Sequence, residues 1–225
     1  MAKPQPEKSR ILIVDDHPLF REGLQQMIDR HPALVVCGQA PDAAAAMVAV
    51  AELKPDLVLV DISLEGSNGI DLIKMLKAKY DELPILVVSM HDESLYAERA
   101  LRAGALGYIM KNQPAKIVKD AIFKVLGGDI FLSEKMSSSV LGKLLKGKSE
   151  QPVSPIEQLS NRELEVFQML GEGKASRQIA EELDLTIPTI HSFRNRIKEK
   201  LQVRNSTEML LHAMQWVREH VDKEA

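Results

Sequence analysis

Between Arg10 and Gly127, short apolar runs rich in β-branched residues alternate with longer amphipathic stretches, the pattern of βα units repeated along a parallel sheet. The runs are Ile11–Val14, Leu34–Cys37, Leu57–Val60, Ile85–Val88 and Gly107–Met110, and each is apolar almost throughout. A strand without polar alternation is covered on both faces. Five strands are therefore predicted, with helices near 18–30, 42–53, 69–79, 92–103 and 114–126.

After Gly127-Gly128 the character changes. Residues 133–149 are polar, with serines, lysines and three leucines, Leu141, Leu144 and Leu145, and they lead into Gln151-Pro-Val-Ser-Pro155. This reads as a short helix and a flexible linker. From Leu159 onward strand signals disappear, and four short helical patterns follow. Ser160 and Glu163 have capping-box spacing at the first of them; the others run near 175–182, 187–201 and 206–220. The expected fold is an α/β doubly wound five-stranded parallel sheet followed by a small all-α domain. The expected boundaries are 9–128, a linker over 129–156, and 157–221. A length of 225 residues suits two modest domains at about 150 residues each as a prior.

Charge is unevenly spread. The chain has a formal net charge of −3, yet residues 186–205 hold Arg194, Arg196, Lys198, Lys200 and Arg204 against Glu199 alone. A local basic patch of this kind suits a polyanionic partner. The single cysteine, Cys37, excludes an intramolecular disulfide and a cysteine-rich metal site, which fits a reducing compartment. No apolar run approaches the roughly 18 to 20 residues that cross a bilayer, and Met1–Arg10 is polar. A cytoplasmic protein without membrane attachment is expected.

In a doubly wound sheet, ligands bind beyond the carboxyl ends of the strands. Asp15 and Asp16 follow the first run there, Asp61 the third, Ser89 the fourth and Lys111 the fifth. Clustered carboxylates repel one another unless a cation intervenes, and an all-oxygen set selects a hard ion such as Mg²⁺. A carboxylate can also act as a nucleophile and form an aspartyl-phosphate. Phosphoryl transfer then needs a metal, a cation and a hydroxyl around the phosphoryl oxygens. Carboxylates to hold the metal, an ammonium and a hydroxyl all fall on one rim.

Residues 10–127 resemble a response-regulator receiver domain, which has a flavodoxin-like fold. Val14-Asp15-Asp16-His17 is similar to its acidic pair, Asp61 through Gly69 to its phosphoacceptor loop, and Tyr108-Ile-Met-Lys111 to its aromatic and lysine strand. The resemblance implies that Asp61 takes a phosphoryl group from a histidine kinase. Asp16 would bind Mg²⁺ directly, Asp15 largely through water, and Ser63 through its backbone carbonyl, with Asp61 completing the set. Lys111 would pair with the phosphoryl oxygens, Ser89 would turn its hydroxyl toward them, and Tyr108 would follow Ser89 inward as the switch. Tyr108 is also readable as a plain core aromatic. Glu65 stands where the family usually has proline, and Asn112 follows the lysine where proline or an acidic residue is common.

In the second domain, Ala175–Leu183 and Ile187–Leu201 are separated by Asp184-Leu185-Thr186, the spacing of a helix-turn-helix. Thr186 is placed to cap the second helix and Pro188 falls in its first turn. Ile190, Phe193, Ile197 and Leu201 share one face by helical periodicity, with His191, Ser192, Asn195 and Glu199 opposite. An inward apolar face beneath a polar outer one suits a helix that enters the major groove. From Leu159 to Asn205 the motif is similar to the LuxR-type helix-turn-helix, which the chain resembles over 157–214. With the receiver, the whole resembles a NarL/FixJ-type response regulator.

That resemblance implies a two-component transcription regulator, not an enzyme beyond slow self-dephosphorylation, which dimerises on double-stranded DNA when phosphorylated. His191, Ser192 and Asn195 are the candidates for base edges, since asparagine can pair bidentately with adenine. Arg194, Arg196, Lys198, Lys200 and Arg204 are the candidates for phosphates. Phe193 replaces the usual histidine and is expected to pack inward with Ile190 and Ile197. Met209, Leu210, Ala213, Met214 and Val217 resemble the dimerisation segment, though packing within one chain explains the same stripe; Trp216 is expected to help bury that helix. Two rivals stand beside this reading: a helical domain that binds a protein instead of DNA, and a phosphatase that uses Asp61 covalently.

Overall fold

The structure, a computed structural model, describes residues 8–138 and 155–220 of the chain. They form two compact units. In the first, strands β1 (Ser9–Val14), β2 (Leu34–Ala40), β3 (Leu57–Val60), β6 (Ile85–Ser89) and β7 (Gly107–Met110) make one parallel sheet in the order β2-β1-β3-β6-β7. Helices α1 (Pro18–Asp29), α2 (Ala43–Leu53), α3 (Gly69–Lys79) and α4 (Glu93–Arg102) connect them, and α5 (Ala115–Leu126) follows β7. The order reverses at β1, so the crevice between β1 and β3 is the switch point where such sheets bind ligands.

The strands are apolar on both faces because both are covered. Ile11, Ile13, Leu57, Leu59, Leu86, Val88 and Ile109 pack with Leu24 and Ile28 of α1 and Val118, Ala121, Ile122 and Val125 of α5. The alternate residues Leu12, Val14, Val58, Val60 and Val87 are equally buried. Helix starts follow local chemistry. Asp42, Asn68 and Asp92 cap α2, α3 and α4 through their side chains, while Pro18 lies in the first turn of α1.

Three features depart from the expectations. Strand β2 runs on past Cys37 to Ala40, because an irregularity at Cys37 shifts the pairing from Ile11↔Val36 to Leu12↔Gly38. Gly38 breaks the apolar pattern there, and a Cβ on it would meet Leu53 of α2. The loop after Asp61 is a miniature antiparallel hairpin, β4 (Ser63–Leu64) with β5 (Ser67–Asn68). Gly66 turns it at φ +67°, and two-residue strands leave no periodicity to read. Finally, the sheet unit does not stop at 128. The Phe131 amide donates to Leu106 O at 2.9 Å, the Tyr108 amide donates to Phe131 O at 3.1 Å, and Met136 is 5% exposed. Gly127-Gly128 turns the chain back onto β7 before it leaves. Residues 134–138 are helical, as expected for the start of the linker; the rest of that expectation, including Leu141, Leu144 and Leu145, lies outside the described residues.

The second unit is helical: a 3₁₀ turn (Pro155–Gln158), α6 (Asn161–Gly171), α7 (Ser176–Glu182), α8 (Ile187–Leu201) and α9 (Ser206–His220). Ser160 and Glu163 form the expected capping box. Phe167 of α6 lies 5.7 Å from Trp216 of α9, centroid to centroid, and Trp216 is buried as expected. Gly171 sits where a Cβ would strike Ala213 O and Val217, so only glycine lets α6 and α9 approach this closely. The stripe read along the last helix splits in two: Met209, Ala213 and Val217 are core, whereas Leu210, Leu211 and Met214 are exposed.

Candidate functional site

The backbone ladder carries the rim. Asp15 N donates to Ala40 O, Asp61 N to Val14 O, and Lys111 N to Ser89 O, so each polar residue extends the hydrogen bonding of its strand. Lys111 Nζ then lies 2.6 Å from Asp15 Oδ2 and 2.7 Å from Asp61 Oδ2, with all three side chains at 5% exposure or less. The Phe20 ring stands 4.4 Å from the same ammonium. Asp16 is partly exposed and 2.6 Å from His17 Nδ1.

Burial pushes the Asp61 carboxyl above the usual carboxylate range; Lys111 opposes this without cancelling it, and the Asp15 charge adds to it. Burial alone would lower the Lys111 ammonium, but the Asp61 and Asp15 carboxylates hold it above its usual value. Asp15, Asp16, His17 and Asp61 each bring one ligand atom to within 4.8 Å of the others. Asp61 Oδ1 is buried with no hydrogen-bond partner. The cluster thus keeps an acceptor free for something the polypeptide does not supply, and an oxygen-rich set of this kind fits Mg²⁺.

Ser89 is fully buried at the end of β6, and the His91 amide donates to its Oγ at 3.4 Å. Tyr108 is 1% exposed and points inward, its hydroxyl donating to His91 O at 2.7 Å. Burial pushes that phenol well above its ordinary value, so it remains a donor. Ser63 Oγ lies 2.8 Å from His91 Nε2. Gly69 opens α3 against the end of β3, and a Cβ there would fall inside the shell of Asp61 O. Gly69→Ala is therefore expected to cost about 1 to 3 kcal/mol and to displace Asp61, measured as a lower urea midpoint together with slower labelling of Asp61 by a small phosphodonor.

In the helical unit, Asp184 takes a left-handed conformation (φ +49°), Leu185 N donates to Ala180 O, and Thr186 Oγ1 accepts from Thr189 N to start α8. This is a helix-turn-helix. Ile190, Ile197 and Leu201 are buried, while His191, Ser192, Asn195, Arg196 and Glu199 are exposed together. Phe193, expected to pack inward with Ile190 and Ile197, sits at the edge of that face. At about 100° per residue it lies about 60° from Ile190 and about 40° from Ile197, and is half-buried with the Arg196 guanidinium 6.0 Å from its ring.

Residues 11–122 match the response regulator receiver domain family, and residues 157–213 match the bacterial regulatory proteins of the luxR family. The transcriptional regulatory protein LiaR of Bacillus subtilis is 33% identical over 206 residues, covering 91% of this chain and 96% of that protein. This chain is a LuxR-type response regulator. The oxygen regulatory protein NreC of Staphylococcus haemolyticus is 30% identical over 91% of this chain and 96% of its own. Among solved structures, a LuxR-family two-component response regulator from Aurantimonas sp. SI85-9A1 is 32% identical with a TM-score of 0.58, over 62% of this chain and 99% of that one. RcsB of Salmonella typhimurium is 25% identical with a TM-score of 0.55, over 93% and 99%.

Within this response regulator, the sequence-predicted rim residues Asp15, Asp16, Asp61 and Lys111 come together, with Ser89 and Tyr108 joined through His91. Glu65 and Asn112, the two departures from the receiver pattern, are exposed. The structure adds four residues to the site: His17, Phe20, Arg21, whose guanidinium donates to Asp15 O, and His91. Only His17 had a signal, its place beside the acidic pair.

The basic set divides. Arg196 and Arg204 are exposed and Lys198 is half-exposed, but Arg194 Nη1 donates to Ser176 Oγ at 2.7 Å. Lys200 Nζ is 2.6 Å from Glu163 Oε2 and donates to Gln158 O at 3.2 Å. Burial by itself raises the Glu163 carboxyl, yet the hydrogen bonds from Lys200 and Ser160 carry it below its ordinary value. Lys200→Met is expected to destabilise the helical unit by about 2 kcal/mol, since Glu163 is 2% exposed and would lose its cation. The loss in thermal unfolding should exceed any loss in affinity for duplex DNA.

Proposed function

We propose that this response regulator takes a phosphoryl group on Asp61 from a histidine kinase and that the modification controls its binding to double-stranded DNA as a homodimer. The observation that carries the reading is the Asp61 carboxylate itself, buried with Oδ2 on Lys111 and Oδ1 unpartnered. A carboxylate oxygen of Asp61 attacks phosphorus, the P–N bond to the kinase imidazole breaks, and the imidazole leaves with that electron pair. Lys111 then holds the transferred phosphoryl oxygens, and Ser89 offers its hydroxyl to them. Tyr108 acts as the switch aromatic that follows Ser89. Asp15, Asp16, Asp61 and the Ser63 carbonyl would hold Mg²⁺, which supplies neutralisation of the phosphoryl charge when bound.

His191, Ser192 and Asn195 are assigned to base edges and Arg196, Lys198 and Arg204 to phosphates. Arg194 and Lys200 join the phosphate set from positions they already hold within the unit. Exposed Leu210, Leu211 and Met214 offer apolar surface for the homodimer. We assign the receiver to 9–128 with its covering segment, the linker to the residues up to 156, and the output domain to 157–221. We place the protein in the cytoplasm; no described helix is long and apolar enough to cross a membrane.

Enrichment of genomic DNA fragments by the full-length protein, with and without Mg²⁺ and beryllofluoride, tests the reading. A shared motif that enriches more strongly with the phosphoryl mimic is the expected result. Equal enrichment in both states would remove the switch, and none in either state, with Asp61 still labelled by phosphodonor, would turn the output toward a protein partner.

A further inference from the structure

His91 is held on every side. Its ring stacks on the buried Tyr96 at 4.6 Å, its carbonyl accepts from Tyr108, its amide reaches Ser89, and its Nε2 lies 2.8 Å from Ser63 Oγ. Ser63 opens the hairpin that follows Asp61, whose strands are only two residues long. Such a hairpin has little intrinsic stability, so its position depends on what holds its side chains: Ile62 and Leu64 are buried, and Ser63 between them reaches His91. Glu65-Gly66 at the tip is exposed.

We infer that His91 is a positioning residue for the divalent cation: through its hydrogen bond to the Ser63 hydroxyl it fixes the Ser63 carbonyl where the ion is held. This rests on the proposed Mg²⁺ set. His91 follows β6 and Ser63 follows β3, so this hydrogen bond joins the carboxyl ends of two neighbouring parallel strands. Fixing a ligand in advance reduces the ordering cost of binding.

Isothermal titration of the full-length protein with MgCl₂ tests this without any phosphoryl transfer. Ser63→Ala and His91→Ala are each expected to weaken Mg²⁺ binding about five-fold, the size of one hydrogen bond. The double variant should be no weaker than either single one, because both remove the same interaction. His91→Gln, whose amide can donate or accept at similar reach, should recover part of the loss. Wild-type affinity in Ser63→Ala, or additive losses in the double variant, overturns the inference and leaves the Mg²⁺ reading standing. Absence of Mg²⁺ binding by the wild-type protein overturns both. Ser63→Ala removes one half-buried hydroxyl only, which keeps the test valid if His91→Ala fails to fold.

Discussion

Lys111→Ala is expected to destabilise the receiver unit by about 3 to 5 kcal/mol at pH 7 in the absence of divalent cation, the cost of removing one partner from a buried charge cluster. Asp15 and Asp61 are both 2% exposed, and the Lys111 ammonium is bonded to both. Without it two carboxylates share a dry site, and each raises the cost of ionising the other. Calorimetry of the full-length protein should show the sheet unit melting earlier, with the helical unit unchanged. Adding Mg²⁺ should restore more stability to the variant than to the wild type, since the ion then supplies the missing positive charge. An unchanged melting temperature without Mg²⁺ would mean that these carboxylates do not depend on Lys111 for their charge.

Asp61→Asn should do the opposite to stability while abolishing function. Burial holds the Asp61 carboxyl above its ordinary range in the folded protein. A raised carboxyl favours folding while protonated, so its contribution is lost as pH climbs through the folded value and the full penalty applies above it. Asparagine keeps the shape and removes the penalty. The variant is expected to gain about 1 kcal/mol at pH 7, typical when a charge kept for function is neutralised. The gap should close as pH falls toward about 4, where the unfolded carboxyl also protonates. Phosphoryl incorporation and any response of DNA binding to phosphodonor should vanish. A variant less stable than wild type at pH 7 would show that the Lys111 pairing outweighs burial.

The strands and helices of the sheet unit were legible because short apolar runs alternate with longer amphipathic stretches, a difference of period that each element carries within itself. The rim was legible for the same reason: strand ends fix where Asp15, Asp61, Ser89 and Lys111 must emerge. What escaped reading depends on contacts between distant segments. His91 reaches Ser63 across 28 residues, Phe20 meets Lys111 from another helix, and Lys200 turns from the groove face to a buried Glu163. Periodicity places a side chain on a face; it does not say which neighbour will claim it. The split of the α9 stripe into buried Met209 and exposed Met214 shows the limit on a single helix.

The return of Phe131 onto β7 has a practical consequence. Strand β7 is the last of its sheet, and the Tyr108 amide is satisfied there by Phe131 O. A fragment truncated at Gly128 would strip that partner and present an open sheet edge to any second copy in solution. Self-association of such a fragment would be manufactured by the truncation, and Tyr108 would sit on a strand with its amide donor no longer met. Fragments meant to report on the isolated receiver should end beyond Met136.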